Sequence, residues 1–402
     1  MTVLLPDADW RHRPGLDTLL DALNAAKGKA RLVGGAVRDG LLGLPVNDLD
    51  IATTLDPQTV VDRLKTAGIK AVPTGIAHGT ITAVLPDGPV EITTLRRDVS
   101  TDGRRATIAY TDDWREDAAR RDFTINALYA DPLTGAISDY FGGLADLDAR
   151  RLRFIGDASA RIAEDHLRIL RYFRFLARYG DNELDSCAYK ACVAAANNLM
   201  ALSRERIADE LLKLLGVAAP VHALRLMVDG GILRPVLPEV DAAGVARVDR
   251  LIAREAEAGI AGSALRRLAA LLPADPAMAD SVGARLKLSN KARKRLVAAL
   301  EPNAAEKPRT LAYRVGLEGA IDRLLLDSEQ PVSVLSRLEN WTLPILPISG
   351  GALIARGLAP GPDVAKALHE VQRHWVAEDF PDADRVAAIA DQIVSKFQRA
   401  RQ

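Results

Sequence analysis

Asp48 and Asp50 stand two residues apart in Asn47-Asp48-Leu49-Asp50-Ile51, shortly after the run Gly34-Gly35-Ala36-Val37-Arg38-Asp39. Alternate side chains of a strand share a face, so both carboxylates project together. They repel, and no basic residue lies between them. A divalent cation that prefers oxygen ligands, such as Mg²⁺, is the natural way to neutralise them. Glu91, in Val90-Glu91-Ile92, can add a third carboxylate from a neighbouring strand, and Asp122 competes for that role. Adjacent glycines let the backbone at Gly35 approach a phosphate closely, because no Cβ intervenes. Arg38 can add a charge-assisted fork to the same phosphates. These parts suit phosphoryl transfer in which metal ions serve an attacking hydroxyl and a leaving group. A Gly-Gly turn alone is usually only a turn, and a pair of acids at a strand end is usually solvated. The order and close spacing of all the parts point to chemistry.

Two further blocks carry the same theme. In Arg120-Arg121-Asp122-Phe123-Thr124-Ile125-Asn126-Ala127 the arginines can meet a triphosphate or ribose while Asp122 and Asn126 brace them. The bland alternative is a helix start with exposed arginines. The third block is Glu164-Asp165-His166-Leu167-Arg168, followed by Arg171, Arg174 and Arg178. Steps of three place Asp165, Arg168 and Arg171 along one face of a helix predicted over 159–179. Between residues 150 and 178 eight arginines stand against three acids, a local charge of +5. That segment is either a solvated, ion-paired face or a basic patch. Asp165 accepts hydrogen bonds and Arg168 donates them, so together they can match the edge of a nucleobase.

The elements that must position these residues fall into two styles. The first part of the chain mixes strands and helices. Leu16 to Ala26 reads as an amphipathic helix, Ala30 to Val33 as a strand, and Val37 to Leu42 as a helical turn. Asp48 to Ala52 reads as an alternating strand. Thr80 to Leu85 and Pro89 to Leu95 are β-rich runs joined by the turn signal Pro86-Asp87-Gly88. From about residue 158 onward the periodicity is helical, over 159–179, 203–215, 221–229 and 245–257. Pro302 to Pro308 reads as a linker. The expected architecture is an α/β head followed by an all-helical neck, body and tail, divided at 1–155, 156–220, 221–305 and 306–402.

Composition narrows the class. The 402 residues are 48% hydrophobic and only 4% aromatic, so the core must be built mainly from Leu, Ala, Val and Ile. The 53 basic and 53 acidic side chains cancel, so any grip on nucleic acid must be local. Lys287 and the run Lys291 to Arg295 are a second candidate for such a grip, or a solvated helix. Cys187 and Cys192 cannot form a disulfide framework. The start of the chain lacks the charged-then-apolar order of a signal peptide, and no apolar run reaches membrane-spanning length. The expected compartment is the cytoplasm, with no membrane association and no obligate protein partner.

The three blocks, in this order, resemble the class II CCA-adding enzyme and bacterial poly(A) polymerase family, within the DNA polymerase β-like nucleotidyltransferases. The resemblance covers about residues 30–215 and weakens through the tail. Gly34 to Asp50 is similar to the catalytic motif, and Arg120 to Ala127 to the ribose and triphosphate motif. Asp139 to Leu147 is similar to the element joining head to neck. Glu164 to Arg174 resembles the motif in which protein side chains recognise the incoming base, and Ser203 to Ile207 the last, mainly structural neck motif. The resemblance implies that Asp48 and Asp50 bind metal and that Asp165 and Arg168 bond the Watson–Crick edge of CTP or ATP. It also implies that Arg171 and Arg174 lie near the triphosphate.

Finer points favour CCA addition. Thr74 to Thr80 and Glu91 to Arg97 resemble the CCA side of the family, and nothing matches the basic Gly-Arg-Arg-Phe stretch of Gram-negative poly(A) polymerases. Thr101-Asp102-Gly103-Arg104-Arg105 lies where CCA enzymes keep a flexible loop that helps the switch from C to A. No HD phosphohydrolase pattern is found. The stretch from Gly350 to Pro362 resembles a family tail motif but lacks acids expected after its glycines. The expected substrates are CTP, ATP and tRNA lacking a complete 3′ end. The alternatives are a poly(A) polymerase, an A-adding partial enzyme, or a non-catalytic RNA-binding relative.

Overall fold

The computed structural model describes residues 3–102, 105–181, 184–302 and 306–399. The chain divides into two compact units, Met1–Pro238 and Glu239–Gln402. The expected divisions after 155 and 220 therefore fall inside the first unit, and the one after 305 falls inside the second.

Alternating burial in the first unit builds a seven-stranded sheet in the order β3-β4-β5-β2-β1-β8-β9. Its strands are β1 (Ala30–Val33), β2 (Asp50–Thr53), β3 (Lys70–Gly75), β4 (Thr80–Leu85), β5 (Gly88–Thr94), β8 (Leu128–Ala130) and β9 (Ile137–Asp139). Among the described residues only β2 and β5 pair in parallel, and their register sets Asp50 against Glu91. The other pairs are antiparallel. The turn read at Pro86-Asp87-Gly88 closes the β4–β5 hairpin, with Leu85 opposite Gly88. A separate antiparallel hairpin joins β6 (Arg96–Asp102) and β7 (Arg105–Tyr110). Of the segment expected to be a flexible loop, Thr101 to Arg105, Thr101 and Asp102 end β6 and Arg105 begins β7. Gly103 and Arg104 lie outside the described residues.

Helices α1 (Leu16–Ala22), α2 (Gly35–Leu41), α3 (Pro57–Thr66), α4 (Trp114–Ala119) and α5 (Gly143–Asp148) accompany the sheet. The helix expected to reach Ala26 stops at Ala22 and gives way to a short 3₁₀ turn over Ala25–Lys27. Helix α3 begins with a carboxylate cap, Asp56 accepting from the Thr59 amide, and with Pro57 in its first turn.

The helix expected over 159–179 is two helices. Helix α6 (Ala158–Glu164) is capped by Asp157 and ends at Asp165, whose backbone is extended (φ −151°, ψ 106°). Helix α7 (Leu167–Tyr179) then begins, with Oδ1 of Asp165 accepting from the Leu167 amide at 3.1 Å. An aspartate bonds the backbone two residues on as readily as it continues a helix, and here it starts a new one. Helix α7 buries Leu170, Phe173, Leu176 and Tyr179 and lies beside α9 (Arg204–Leu215) and α10 (Val221–Asp229). The short α8 (Ser186–Ala194) completes this layer. Phe123 of the head packs on Phe175 of α7, with ring centroids 5.2 Å apart, and Phe154 stacks on Tyr172 at 5.6 Å. Sheet and neck thus share an aromatic core.

The second unit is helical: α11 (Ala242–Glu257), α12 (Ala264–Leu271), α13 (Pro276–Arg285), α14 (Asn290–Ala299), α15 (Pro308–Val315), α16 (Leu317–Leu326), α17 (Gly350–Ala355), α18 (Pro362–Ala377) and α19 (Ala383–Arg399). Residues 303–305 of the expected linker lie outside the described residues. Buried Arg266 bridges Glu255 and Asp322, at 2.7 and 2.8 Å, so α11, α12 and α16 are joined by charge as well as by apolar contact. Among the described residues no helix is long and apolar enough to cross a membrane.

Candidate active site

Gly34 and Gly35 lie where β1 turns into α2. Gly34 has a φ of +66°, a backbone conformation that only glycine adopts without strain. Asp48 precedes β2 rather than lying in it, so the expected strand is shorter at its start. The ladder nevertheless continues to Leu49, whose carbonyl accepts from the Glu91 amide at 3.1 Å. Asp48 is exposed, Leu49 buried and Asp50 half-buried, which preserves the alternation that puts both carboxylates on one side.

A cavity of about 660 Å³ gathers the three sequence blocks. Gly34, Gly35, Arg38, Asp48 and Asp50 line it from the first, Arg120 and Arg121 from the second, and Asp165, Arg168, Arg171 and Arg174 from the third. Arg96, Asp122, Asn126 and Phe175 complete the wall. Arg178 of the third block is outside this lining, and so is Glu91. Glu91 is exposed and stands beside Asp50 across the parallel pair. Seven guanidiniums face four carboxylates in this cavity, a positive excess that suits a polyphosphate.

Burial and the Glu91 and Asp48 carboxylates push the Asp50 carboxyl up to about 6, while the Arg121 charge pulls it down. A group so crowded by like charge is suited to a cation. Among the described residues no three acidic, histidine or cysteine side chains converge to hold an ion by themselves. The Asp48–Asp50 pair therefore fits a divalent ion whose remaining ligands come from phosphate and water. Asp122, the competitor for third carboxylate, is engaged elsewhere. Its Oδ2 accepts from Arg171 Nε and Nη2 at 2.8 and 2.5 Å, and its Oδ1 from Asn126 at 2.9 Å. Burial opposes its charge, but Arg171 and Asn126 outweigh that and hold it below the usual carboxylate range.

Several side chains do more internal bonding than the sequence suggests. Arg38 is 6% exposed. It donates Nε to Asp39 at 2.8 Å, Nη1 to Asn126 and Nη2 to the Tyr179 hydroxyl at 2.6 Å. As it stands it ties α2 to α7 and is not a bare phosphate fork. Arg174 pairs with Glu210 at 2.6 Å. Arg168 donates to Glu164 at 2.5 Å and to the Arg120 carbonyl at 3.1 Å. Asp165 receives Arg206 at 2.7 Å, so the last neck motif reaches the proposed base reader directly. Sequence reading missed Asp117, which anchors Arg120 and Arg121. It stands three and four residues before them, the spacing of neighbours on a helix. Burial opposes its charge, yet both guanidiniums and the Tyr129 hydroxyl hold its carboxyl down at about 2.

Residues 30–153 match a family model described as the poly(A) polymerase head domain. Residues 183–243 match one described as the probable RNA and SrmB binding site of polymerase A. The chain is 34% identical over 393 residues to the Mus musculus protein named CCA tRNA nucleotidyltransferase 1, mitochondrial, covering 93% of this chain and 89% of that one. It is 32% identical over 386 residues to a Latilactobacillus sakei CCA-adding enzyme, covering 90% and 94%. The crystal structure of the Bacillus stearothermophilus CCA-adding enzyme in complex with CTP matches with a TM-score of 0.75 and 27% identity, over 96% of this chain and all of that one.

Proposed function

Because the chain belongs to the family of CCA-adding enzymes, the CCA tRNA nucleotidyltransferases, we propose that it completes tRNA 3′ ends by adding CMP and AMP from CTP and ATP without a nucleic-acid template. The observation that carries the assignment of residues is the convergence of three distant sequence blocks on one cavity. In this reading the 3′-hydroxyl of a shortened tRNA gives up its proton to water and attacks the α-phosphorus of the nucleotide, the bond from that phosphorus to the α,β-bridging oxygen breaks, and pyrophosphate leaves with the bonding electrons. Asp48 and Asp50, with Glu91 behind Asp50, hold the divalent ion, for which Mg²⁺ fits the two-carboxylate site. When bound, that ion neutralises phosphate charge and lowers the pKa of the attacking hydroxyl. The Gly34-Gly35 turn, Arg120, Arg121, Arg171 and Arg174 hold the triphosphate. Asp165 and Arg168 read the base.

Each carboxylate oxygen of Asp165 keeps a second lone pair beyond its bonds to Arg206 and the Leu167 amide. One can accept from the amino group that cytosine and adenine share, and uracil and guanine carry a carbonyl at that place. Residues 1–155 serve as the transferring head, 156–220 as the nucleotide-reading neck, 221–305 as the body and 306–402 as the RNA-binding tail. The two cysteines, one exposed and one buried, both carry free thiols, which supports a reducing compartment such as the cytoplasm.

The test is incubation with tRNA lacking its last three nucleotides. CTP alone should add two residues, and CTP with ATP should complete the end and stop. Long tails from ATP alone would point to poly(A) synthesis. No extension with any triphosphate would leave an RNA-binding relative.

A further inference from the structure

The Asp117 carboxylate belongs to none of the motifs read from the sequence, yet its side chain is 1% exposed and it accepts five hydrogen bonds. Oδ1 takes Nε and Nη2 of Arg120 at 2.9 and 2.7 Å, and the Arg96 amide at 3.3 Å. Oδ2 takes Nη2 of Arg121 at 3.1 Å and the Tyr129 hydroxyl at 2.7 Å. The same hydroxyl accepts Nε of Arg121 at 3.1 Å. Each guanidinium is thus held by its Nε–Nη2 edge. For Arg121 the remaining Nη1 lies beside the phosphate-type turn, where a methyl group added to Gly34 would stand 3.5 Å from it. Both arginines line the cavity, and Asp117 does not.

We propose that Asp117 is a positioning residue for the triphosphate: it fixes one edge of Arg120 and of Arg121 so that their Nη1 groups meet the phosphates of the incoming nucleotide. The inference rests on the nucleotidyl-transfer reading. A guanidinium free to rotate would have to lose that freedom on binding, whereas one clamped by its edge has already lost it. A buried carboxylate is suited to the clamp, since charge-assisted bonds to guanidinium are the stronger kind. The Arg96 amide places the first residue of β6 on the same anchor, so the base of the β6–β7 hairpin and the phosphate arginines share one support.

The alternative is that Asp117 only neutralises buried positive charge for the sake of the fold. The two differ in what an isosteric substitution does to nucleotide binding. Asp117→Asn keeps the volume but turns an amide donor toward guanidinium donors. The experiment measures steady-state constants on trimmed tRNA, and calorimetric binding of inorganic tripolyphosphate, which has no base or sugar. For Asp117→Asn we expect KM for CTP and for ATP to rise by about tenfold alike. Tripolyphosphate should weaken by the same factor, and KM for tRNA should stay within about twofold.

Tyr129→Phe removes one brace and leaves the carboxylate, so it should weaken tripolyphosphate about threefold. It also serves if Asp117→Asn does not fold. Unchanged tripolyphosphate affinity in the folded Asp117→Asn variant, or in Tyr129→Phe when that variant alone folds, overturns the proposal, as does a change confined to one nucleotide. A wild-type protein that binds tripolyphosphate but extends no tRNA refutes the transfer reading instead, and the calorimetry then still decides the role of Asp117.

Discussion

Nη2 of Arg206 lies 2.7 Å from Oδ2 of Asp165, joining α9 to the break between α6 and α7. The other oxygen of Asp165 accepts the Leu167 amide at 3.1 Å. The carboxylate is therefore fixed from two sides while its side chain remains 32% exposed at the cavity. Arg168, one turn away, is held by Glu164 and by the Arg120 carbonyl. An acceptor and a donor are pre-positioned together, which is what reading a base edge without a template requires.

Asp165→Ala should relax the exclusion of UTP and GTP. An acceptor facing the carbonyl of uracil or guanine leaves a buried group unpaired, at about 1–3 kcal/mol, or roughly ten- to a hundredfold in selectivity. Arg168→Ala should slow CTP and ATP use together. Arg206→Ala should give a weaker form of the Asp165 phenotype, because the acid remains but loses its brace. Single-nucleotide incorporation with each of the four triphosphates measures all three. Full selectivity at normal rates in Asp165→Ala would return this neck face to a solvated, ion-paired surface.

Asp50 should trade stability for function. In the protein without metal, burial and its neighbouring carboxylates raise its carboxyl to about 6, above the ordinary 3.8. A raised acid favours folding while it is protonated. That contribution is present below about pH 4 and is lost as pH rises through about 6. At pH 7.5 the ionised group then costs about 1–3 kcal/mol relative to a neutral one. Asp50→Asn should therefore raise the melting temperature by a few degrees at pH 7.5 in chelator, give little gain at pH 4, and stop nucleotide addition. Added Mg²⁺ should stabilise the wild type and not the variant. Identical melting curves at pH 7.5 in chelator would show that the carboxylates do not strain the site.

The sequence carried the site better than it carried the connections around it. The order of Gly34-Gly35, Asp48, Asp50, Arg121 and Asp165 was legible because those residue types lie in short local runs, and all of them line one cavity. The split between α6 and α7 was not legible, since Asp165 fits a helical period and the turn bond to Leu167 leaves no trace in the pattern. Glu210 beneath Arg174, Tyr179 beneath Arg38 and Arg206 on Asp165 were hidden for another reason. Their partners lie 36, 141 and 41 residues away, and pairings at that range are set by packing rather than local spacing. Asp117 was the exception, a local partner at helical spacing overshadowed by the arginines it serves.

The basic run on α14 is narrower than its sequence suggests. Arg293 pairs with Asp280 at 2.5 Å, and Arg295 pairs with buried Asp322 at 2.5 Å. Lys291 and Lys294 are exposed. Counterion release by phosphate contacts makes RNA affinity fall with salt, with a slope that counts the contacts. Replacing Lys291 and Lys294 by alanine should lower tRNA affinity and flatten that slope by roughly one to two units. Arg295→Ala should instead destabilise the protein by about 1–3 kcal/mol, because the Asp322 carboxylate loses one partner and keeps Arg266. Affinity measured from low to moderate salt, with melting curves beside it, separates the two effects. An unchanged slope in the double lysine variant would move the RNA path away from α14.

Arg38 offers the clearest choice between two roles. The sequence suggests a phosphate fork, while the structure commits Nε, Nη1 and Nη2 to Asp39, Asn126 and Tyr179, with the guanidinium 4.1 Å above the Tyr179 ring. If it were chiefly a phosphate ligand, Arg38→Lys would keep the charge, keep the melting temperature and raise only the nucleotide KM. If it is chiefly the tie between α2 and α7, a single ammonium cannot replace three directed bonds and a stacked plane. Asn126 Oδ1 would then lose its donor inside the protein, at about 1–3 kcal/mol, with more lost if Asp39 is also deprived. We expect the second outcome: Arg38→Lys lowers the melting temperature by several degrees. It should also reduce kcat more than it raises KM, because α2 carries the Gly34-Gly35 turn at its start and a loosened helix misplaces that turn. Thermal melts and kinetics on the same preparation decide the matter, and a normal melting temperature with a raised KM would restore the phosphate fork.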